Sequence, residues 1–249
     1  MIMTETLLKH FPKAIEGHKL TIEVVDTLMK THQFTPKNTL FGFSTCPDEL
    51  NRDVTSFKSY YGEHQFPLGG LTGYPFRGKT GFAAFSHHAP NNQSEVNFVI
   101  LYGPHVGISP KGELGKVLRE NQFHESTACG AAISFLNKYK ESMKNGKKYE
   151  PVEDALDMEQ YSVEKMMLSH AYRIISSQNH IKELVEVNYM LVDEAMMKII
   201  ESLKHHFNGK IALVGGIMIN TPHHNGYFDL RRFEVHNTHN EIDLLKKFL

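Results

Sequence analysis

The residues of this 249-residue chain that could do chemistry are two cysteines, a few of its sixteen histidines and an acid–arginine pair beside the first cysteine. Cys46 closes the β-prone run Thr39-Leu-Phe-Gly-Phe-Ser-Thr-Cys46. His105 ends Phe98-Val-Ile-Leu-Tyr-Gly-Pro-His105. Both fall just past predicted strand ends, where parallel sheets place their ligands. Cys129, in Ser126-Thr-Ala-Cys-Gly-Ala-Ala132, stands at a predicted helix start. The partial positive charge there favours a thiolate. Three such ligands suit zinc and leave a fourth position for water. No C-x-x-C or H-x-x-x-H spacing accompanies them, so two buried, apolar thiols are the competing reading. His87-His88 competes with His105 as ligand; His205-His206 reads as a solvated helix end and His223-His224 as a turn.

The acid–arginine pair lies in Cys46-Pro-Asp48-Glu-Leu-Asn-Arg52. An acid two residues past a metal thiolate can accept a hydrogen bond from a water on the metal. An arginine nearby can bind that acid and keep it ionised. Asp48 can equally cap a helix starting near Glu49.

A third pattern points elsewhere. Gly73-Tyr-Pro-Phe-Arg-Gly78-Lys79-Thr80 matches the phosphate-loop pattern G-x-x-x-x-G-K-[ST]. That loop needs a buried strand before it and a helix after it. Phe66–Thr72 does not read as a strand, and Gly81–Phe85 reads as a β-prone run. The alternative of a nucleotide-binding protein built on Gly73–Thr80 therefore ranks below a structural loop or pocket wall.

Which elements must position these groups follows from the pattern of apolar residues. The first 35 or so residues read as helical. Strands are predicted at Thr39–Cys46, Gly81–Phe85, Val96–Tyr102, Ile211–Ile219 and Tyr227–Val235. Helices are predicted from about Ala128 to the Asn145-Gly146 stop, over much of 152–207, and at the C-terminus. Gly62–Gly81 reads as a structured loop. Strands interleaved with helices indicate an α/β fold with a mixed, mostly parallel sheet flanked by helices. No linker divides the chain, so a single domain over 1–249 is expected, with an N-terminal helical arm over about 1–36.

Lys+Arg number 27 and Asp+Glu 28. That balance argues against non-specific binding to nucleic acid or an anionic membrane. The longest apolar runs fall well short of the ~20 residues a membrane helix needs. Two cysteines exclude a disulfide framework and fit a reducing compartment. With no secretory or transit signal at the N-terminus, a cytoplasmic location is expected.

Several motifs agree in order with one family. Cys46-Pro-Asp-Glu-Leu-Asn-Arg52, Gly78-Lys-Thr-Gly-Phe-Ala-Ala-Phe-Ser-His-His88, Leu101-Tyr-Gly-Pro-His-Val-Gly-Ile108 and Ala128-Cys-Gly130 resemble the limiting-CO2-inducible B/C proteins, the theta-class carbonic anhydrases. The resemblance extends from about residue 39 to about 235. It implies a fold similar to the beta-class carbonic anhydrases and reversible hydration of CO2 to bicarbonate on zinc. Carried over, Cys46, His105 and Cys129 would hold Zn2+, and Asp48 with Arg52 would form the dyad that orients the attacking hydroxide. His88 is the rival ligand, and His87 or His88 the proton shuttle. The arginine stands four residues after the acid, against two in the beta class, and the long segment 106–127 separates His105 from Cys129. Tyr74 or Phe76 would line the pocket. The family also contains members without hydration activity, so a non-catalytic zinc protein in CO2 or bicarbonate handling is the nearest alternative. A homodimer is the assembly the resemblance implies.

Overall fold

Asn97–Gly103 (β4) is buried at all seven positions, the mark of a parallel strand covered on both faces. Alternate side chains go to opposite sides. Val99 and Leu101 pack with Leu20, Val24 and Leu28 of Gly17–His32 (α2) and Phe57 of Asp53–Tyr61 (α3). Phe98, Ile100 and Tyr102 pack with Phe82 and Phe85 of Gly78–His87 (α4) and Val192 and Met196 of His180–Leu203 (α8). The architecture is therefore a sheet between two helical layers.

The computed structural model describes residues 2–51, 53–62, 65–88, 96–222, 226–237 and 241–248, without the side chains of 53–55. Arg52, His223 and His224 lie outside the described residues.

Thr39–Thr45 (β2), Gln65–Pro67 (β3), β4, His105–Gly107 (β5) and Ile211–Asn220 (β8) pair with one another in parallel. Gly226–His236 (β9) pairs antiparallel with β8, with Ile15–Glu16 (β1) and with Glu241–Asp243 (β10). The main path is β1-β9-β8-β4-β2-β3, so the sheet is mixed and mostly parallel, as the sequence indicates. Lys116–Val117 (β6) and Ser126–Thr127 (β7) form a separate two-stranded ribbon inside the segment 106–127. Gly130–Lys144 (α5), Met158–Leu168 (α6) and Ala171–Ser176 (α7) pack with α8 into a cluster that also contains Cys46 and Cys129. Ile2–His10 (α1) packs through Leu7 near Val106, Ile217 and Ile219. Among the described residues no helix is long and apolar enough to cross a membrane.

Two expectations are corrected. Gly81–Phe85 lies within helix α4, not a strand. A five-residue apolar run does not distinguish the two; Phe82 and Phe85, three apart, both bury on the helix's inner face. The C-terminal segment holds β10 and one 3-10 turn, Leu245–Lys247, instead of an α-helix. The Leu244 amide donates to the Phe233 carbonyl, which ties the segment to β9. So short a piece gains little from helix formation alone.

Candidate metal centre

Cys46 follows the last residue of β2, and the pairing of Thr45 with Gly103 puts the ends of β2 and β4 side by side. Gly103 and Pro104 then carry the chain into β5, whose first residue, His105, pairs with Met218 near the end of β8. The crossing is tight. A Cβ on Gly103, at φ +145°, would lie 1.7 Å from the Gly216 carbonyl oxygen. Only glycine is compatible with that approach, so this position sets where His105 emerges. Cys129 is the N-cap residue of α5.

These three residues converge. The Sγ atoms of Cys46 and Cys129 lie 3.9 Å apart as free thiols. Both are within 4.8 Å of a ring nitrogen of His105, and all three side chains are buried. Tetrahedral zinc with Zn–S of about 2.3 Å separates two thiolates by roughly 3.8 Å, so the spacing fits. The Nδ1 of His105 is 2.7 Å from Asn220 Oδ1. Its Nε2 is buried with no hydrogen-bond partner among the described residues, although Asp48 Oδ2 lies 3.8 Å away. A buried imidazole nitrogen beside two thiols is a donor set that suits a metal such as zinc, and leaving that nitrogen unpaired is costly.

The electrostatics divide the two thiols. Hydrogen bonding to Cys129, then burial, pushes the Cys46 thiol up. The same bond pulls Cys129 down against burial, helped by the Ala132 and Ala131 amides at the start of α5. Burial opposes charge on His105, but contact with Cys46 and then the Asp48 carboxylate leave its pKa raised. Cys129 is thus the readier thiolate, as a helix N-terminus favours.

Asp48 sits at the rim. Its Oδ1 accepts from the Leu50 amide at 3.1 Å, so it caps a turn rather than α3, which starts at Asp53. Its Oδ2 accepts from Arg119 Nη2 at 2.8 Å. Arg119 also donates to Glu49 Oε1 at 2.7 Å, to the Thr127 carbonyl at 3.2 Å and to Ser126 Oγ. The arginine seen to hold Asp48 among the described residues is therefore Arg119, which the sequence reading did not single out. Its signal is weak, since it lies in the long segment between His105 and Cys129. Asn220 was also missed, yet the rule that singles out Cys46 and His105 applies to it: a polar residue ends an apolar strand. A cavity of about 440 Å³, lined by Leu50, Arg119, Gln122 and Thr221, adjoins the Asp48–Arg119 pair. Phe76 packs in the same cluster as the two cysteines, with the Tyr74 ring 5.0 Å from its own.

The structure does not bring His88 to this cluster. His87 and His88 are exposed at the C-terminal end of α4, on the side of the His206 turn that leads into the start of β8. The His88 ring meets Phe66 edge-on at 5.5 Å, and the His87 ring meets His206 at 6.1 Å. Gly73–Thr80 does lead into a helix, contrary to the sequence reading. Five of its amides are nevertheless already committed to backbone carbonyls. Gly73, Tyr74, Phe76, Arg77 and Gly78 donate to the carbonyls of Gly70, Leu71, Tyr74, Leu68 and Pro75. A phosphate cradle needs such amides free.

A sheet between helical layers, with Cys, His and Cys converging where parallel strands end, defines an α/β protein with a zinc-type donor set. The sequence profile described as limiting CO2-inducible proteins B/C beta carbonic anhydrases matches residues 14–237, and the chain belongs to that family. The crystal structure of PtLCIB4, a homolog of the limiting CO2-inducible protein LCIB, is 30% identical over 96% of this chain and 98% of that chain, with a TM-score of 0.86. The crystal structure of LCIB is 21% identical over 96% of each chain, with a TM-score of 0.72, and is similar in fold. No curated protein sequence matches the chain.

Proposed function

We propose that this protein catalyses the reversible hydration of CO2 to bicarbonate with zinc held by Cys46, His105 and Cys129. The observation that carries the reading is the buried Nε2 of His105, without a hydrogen-bond partner among the described residues, facing two thiols beside Asp48. The chemistry zinc would supply there is an acidified water as nucleophile; two thiolate donors offset the metal's charge, so that acidification is weaker than in an all-histidine site and favours alkaline pH. The chain's own residues do the rest. Asp48, held in place by Arg119, presents an acceptor that orients an O–H group beside the ligand set. Arg119 and the Leu50 amide occupy one oxygen each, which restrains the carboxylate from turning in to become a ligand itself. Leu71 and Phe76 pack against the cysteine cluster and give CO2 an apolar wall. The cavity beside Arg119 gives bicarbonate a way out. The reading carries with it a homodimer and a reducing, cytoplasmic setting, supported by the family resemblance and by two free thiols.

Metal analysis of the purified protein is expected to give about one zinc per chain, and Cys129→Ser to lose it. Stopped-flow CO2 hydration is expected to rise toward alkaline pH and to collapse in Asp48→Ala. A folded wild type that takes no zinc would sink the proposal. Zinc-loaded wild type inactive at every pH means a non-catalytic role in CO2 or bicarbonate handling.

A further inference from the structure

Asn220 is the last residue of β8 and is buried. Its side chain spans two parts of the centre. Nδ2 donates to the Leu50 carbonyl at 3.0 Å, and Oδ1 lies 2.7 Å from His105 Nδ1. A carbonyl can only accept, so the Leu50 contact fixes which end of the amide carries the nitrogen. Oδ1 must then face His105 and can only accept. The proton of a neutral His105 is thereby placed on Nδ1. The Nε2 lone pair is left bare, and that is the nitrogen with no hydrogen-bond partner among the described residues. Leu50 also supplies the amide that caps Asp48. One side chain therefore links the tautomer of the histidine to the turn that carries the acid.

We infer that Asn220 is a positioning residue, which sets the tautomer of His105 for metal ligation and anchors the Asp48 turn to it. Its functional meaning rests on the zinc reading above, but its physical content does not. Hydrogen-bonded partners of a metal-ligating histidine fix ring orientation and basicity, and losing one costs metal affinity about 10–100-fold. Asn220→Leu removes both bonds. Asn220→Asp keeps an acceptor for Nδ1–H but turns a second oxygen toward the Leu50 carbonyl, where two acceptors repel.

The test is imidazole 15N NMR of the full chain, reduced, with and without zinc, alongside zinc affinity by chelator competition. The expected wild-type result is His105 protonated at Nδ1 in both forms. Asn220→Leu is expected to lose that single tautomer and about 10–100-fold in zinc affinity. Asn220→Asp is expected to keep the tautomer and most of the affinity. Its Asn51 amide, which closes the turn onto the Asp48 carbonyl, is expected to exchange faster with solvent. Wild-type His105 protonated at Nε2 would overturn the inference. So would Asn220→Leu retaining both tautomer and affinity, or Asn220→Asp leaving Asn51 exchange unchanged. Should Asn220→Leu fail to fold, the wild-type spectrum and Asn220→Asp still decide. A wild type that binds no zinc defeats the zinc reading alone, because the metal-free tautomer is measured independently.

Discussion

Arg119 commits its guanidinium to one small region: the carboxylates of Asp48 and Glu49, the Thr127 carbonyl and the Ser126 hydroxyl. Lysine can supply the charge but not the planar fork that meets several acceptors at once. Arg119→Lys is therefore expected to leave zinc content intact while lowering the hydration kcat by roughly 10²-fold, the cost of a misplaced reacting partner. Stopped-flow rates beside metal analysis check this, and full activity in Arg119→Lys would refute the positioning role. The same residue marks the limit of reading a sequence. Cys46, His105 and Cys129 were legible because each stands where a strand ends or a helix begins, and chain geometry delivers such positions to one place. Arg119 lies 71 positions from its acid and reaches it only once the segment 106–127 has folded. Spacing carries no trace of that meeting.

Elements show the same division. The burial of β4 and β8 on both faces was readable as long apolar runs, which mark strands covered by helices on both sides of a mostly parallel sheet. Helix α4 was not readable, since its apolar stretch is too short to reveal its period. What fastens one element to the next is equally hidden in sequence. Glu164 of α6 is buried and accepts hydrogen bonds from Lys138 of α5, from Tyr149 and from Gln160. Burial works against its charge, yet the bonds from Gln160, Lys138 and Tyr149 hold its carboxyl below the usual range. A carboxyl lowered in the folded state stabilises above its unfolded pKa of about 4.3, and that stability is lost as pH falls through the folded value. Glu164→Gln is thus expected to cost about 1–3 kcal/mol at pH 7, and clearly less near pH 3. Urea midpoints at the two pH values measure it, and an equal loss at both would show that the charge is not what matters.

At the scale of the whole molecule, the centre joins parts of the chain that are far apart in sequence. Cys46 and Cys129 are 83 positions apart, and with His105 they pin the end of β2, the start of β5 and the first turn of α5. A metal that binds this folded arrangement and not the unfolded chain adds stability by mass action, about 4 kcal/mol when free zinc exceeds its Kd a thousandfold. For a chain of this length that is roughly 8–16 °C in Tm. Reduced protein melted with zinc, then with chelator, is expected to differ by an amount in that range. Cys129→Ser, a near-isosteric change that removes one of the three thiol and imidazole donors, is expected to melt near the chelated wild type and to respond little to zinc. Equal zinc-induced shifts in wild type and Cys129→Ser would place the stabilising ion elsewhere. Equal melting with and without zinc would mean that packing and hydrogen bonds alone bring the three side chains together, and that the convergence of thiols and imidazole owes nothing to a metal.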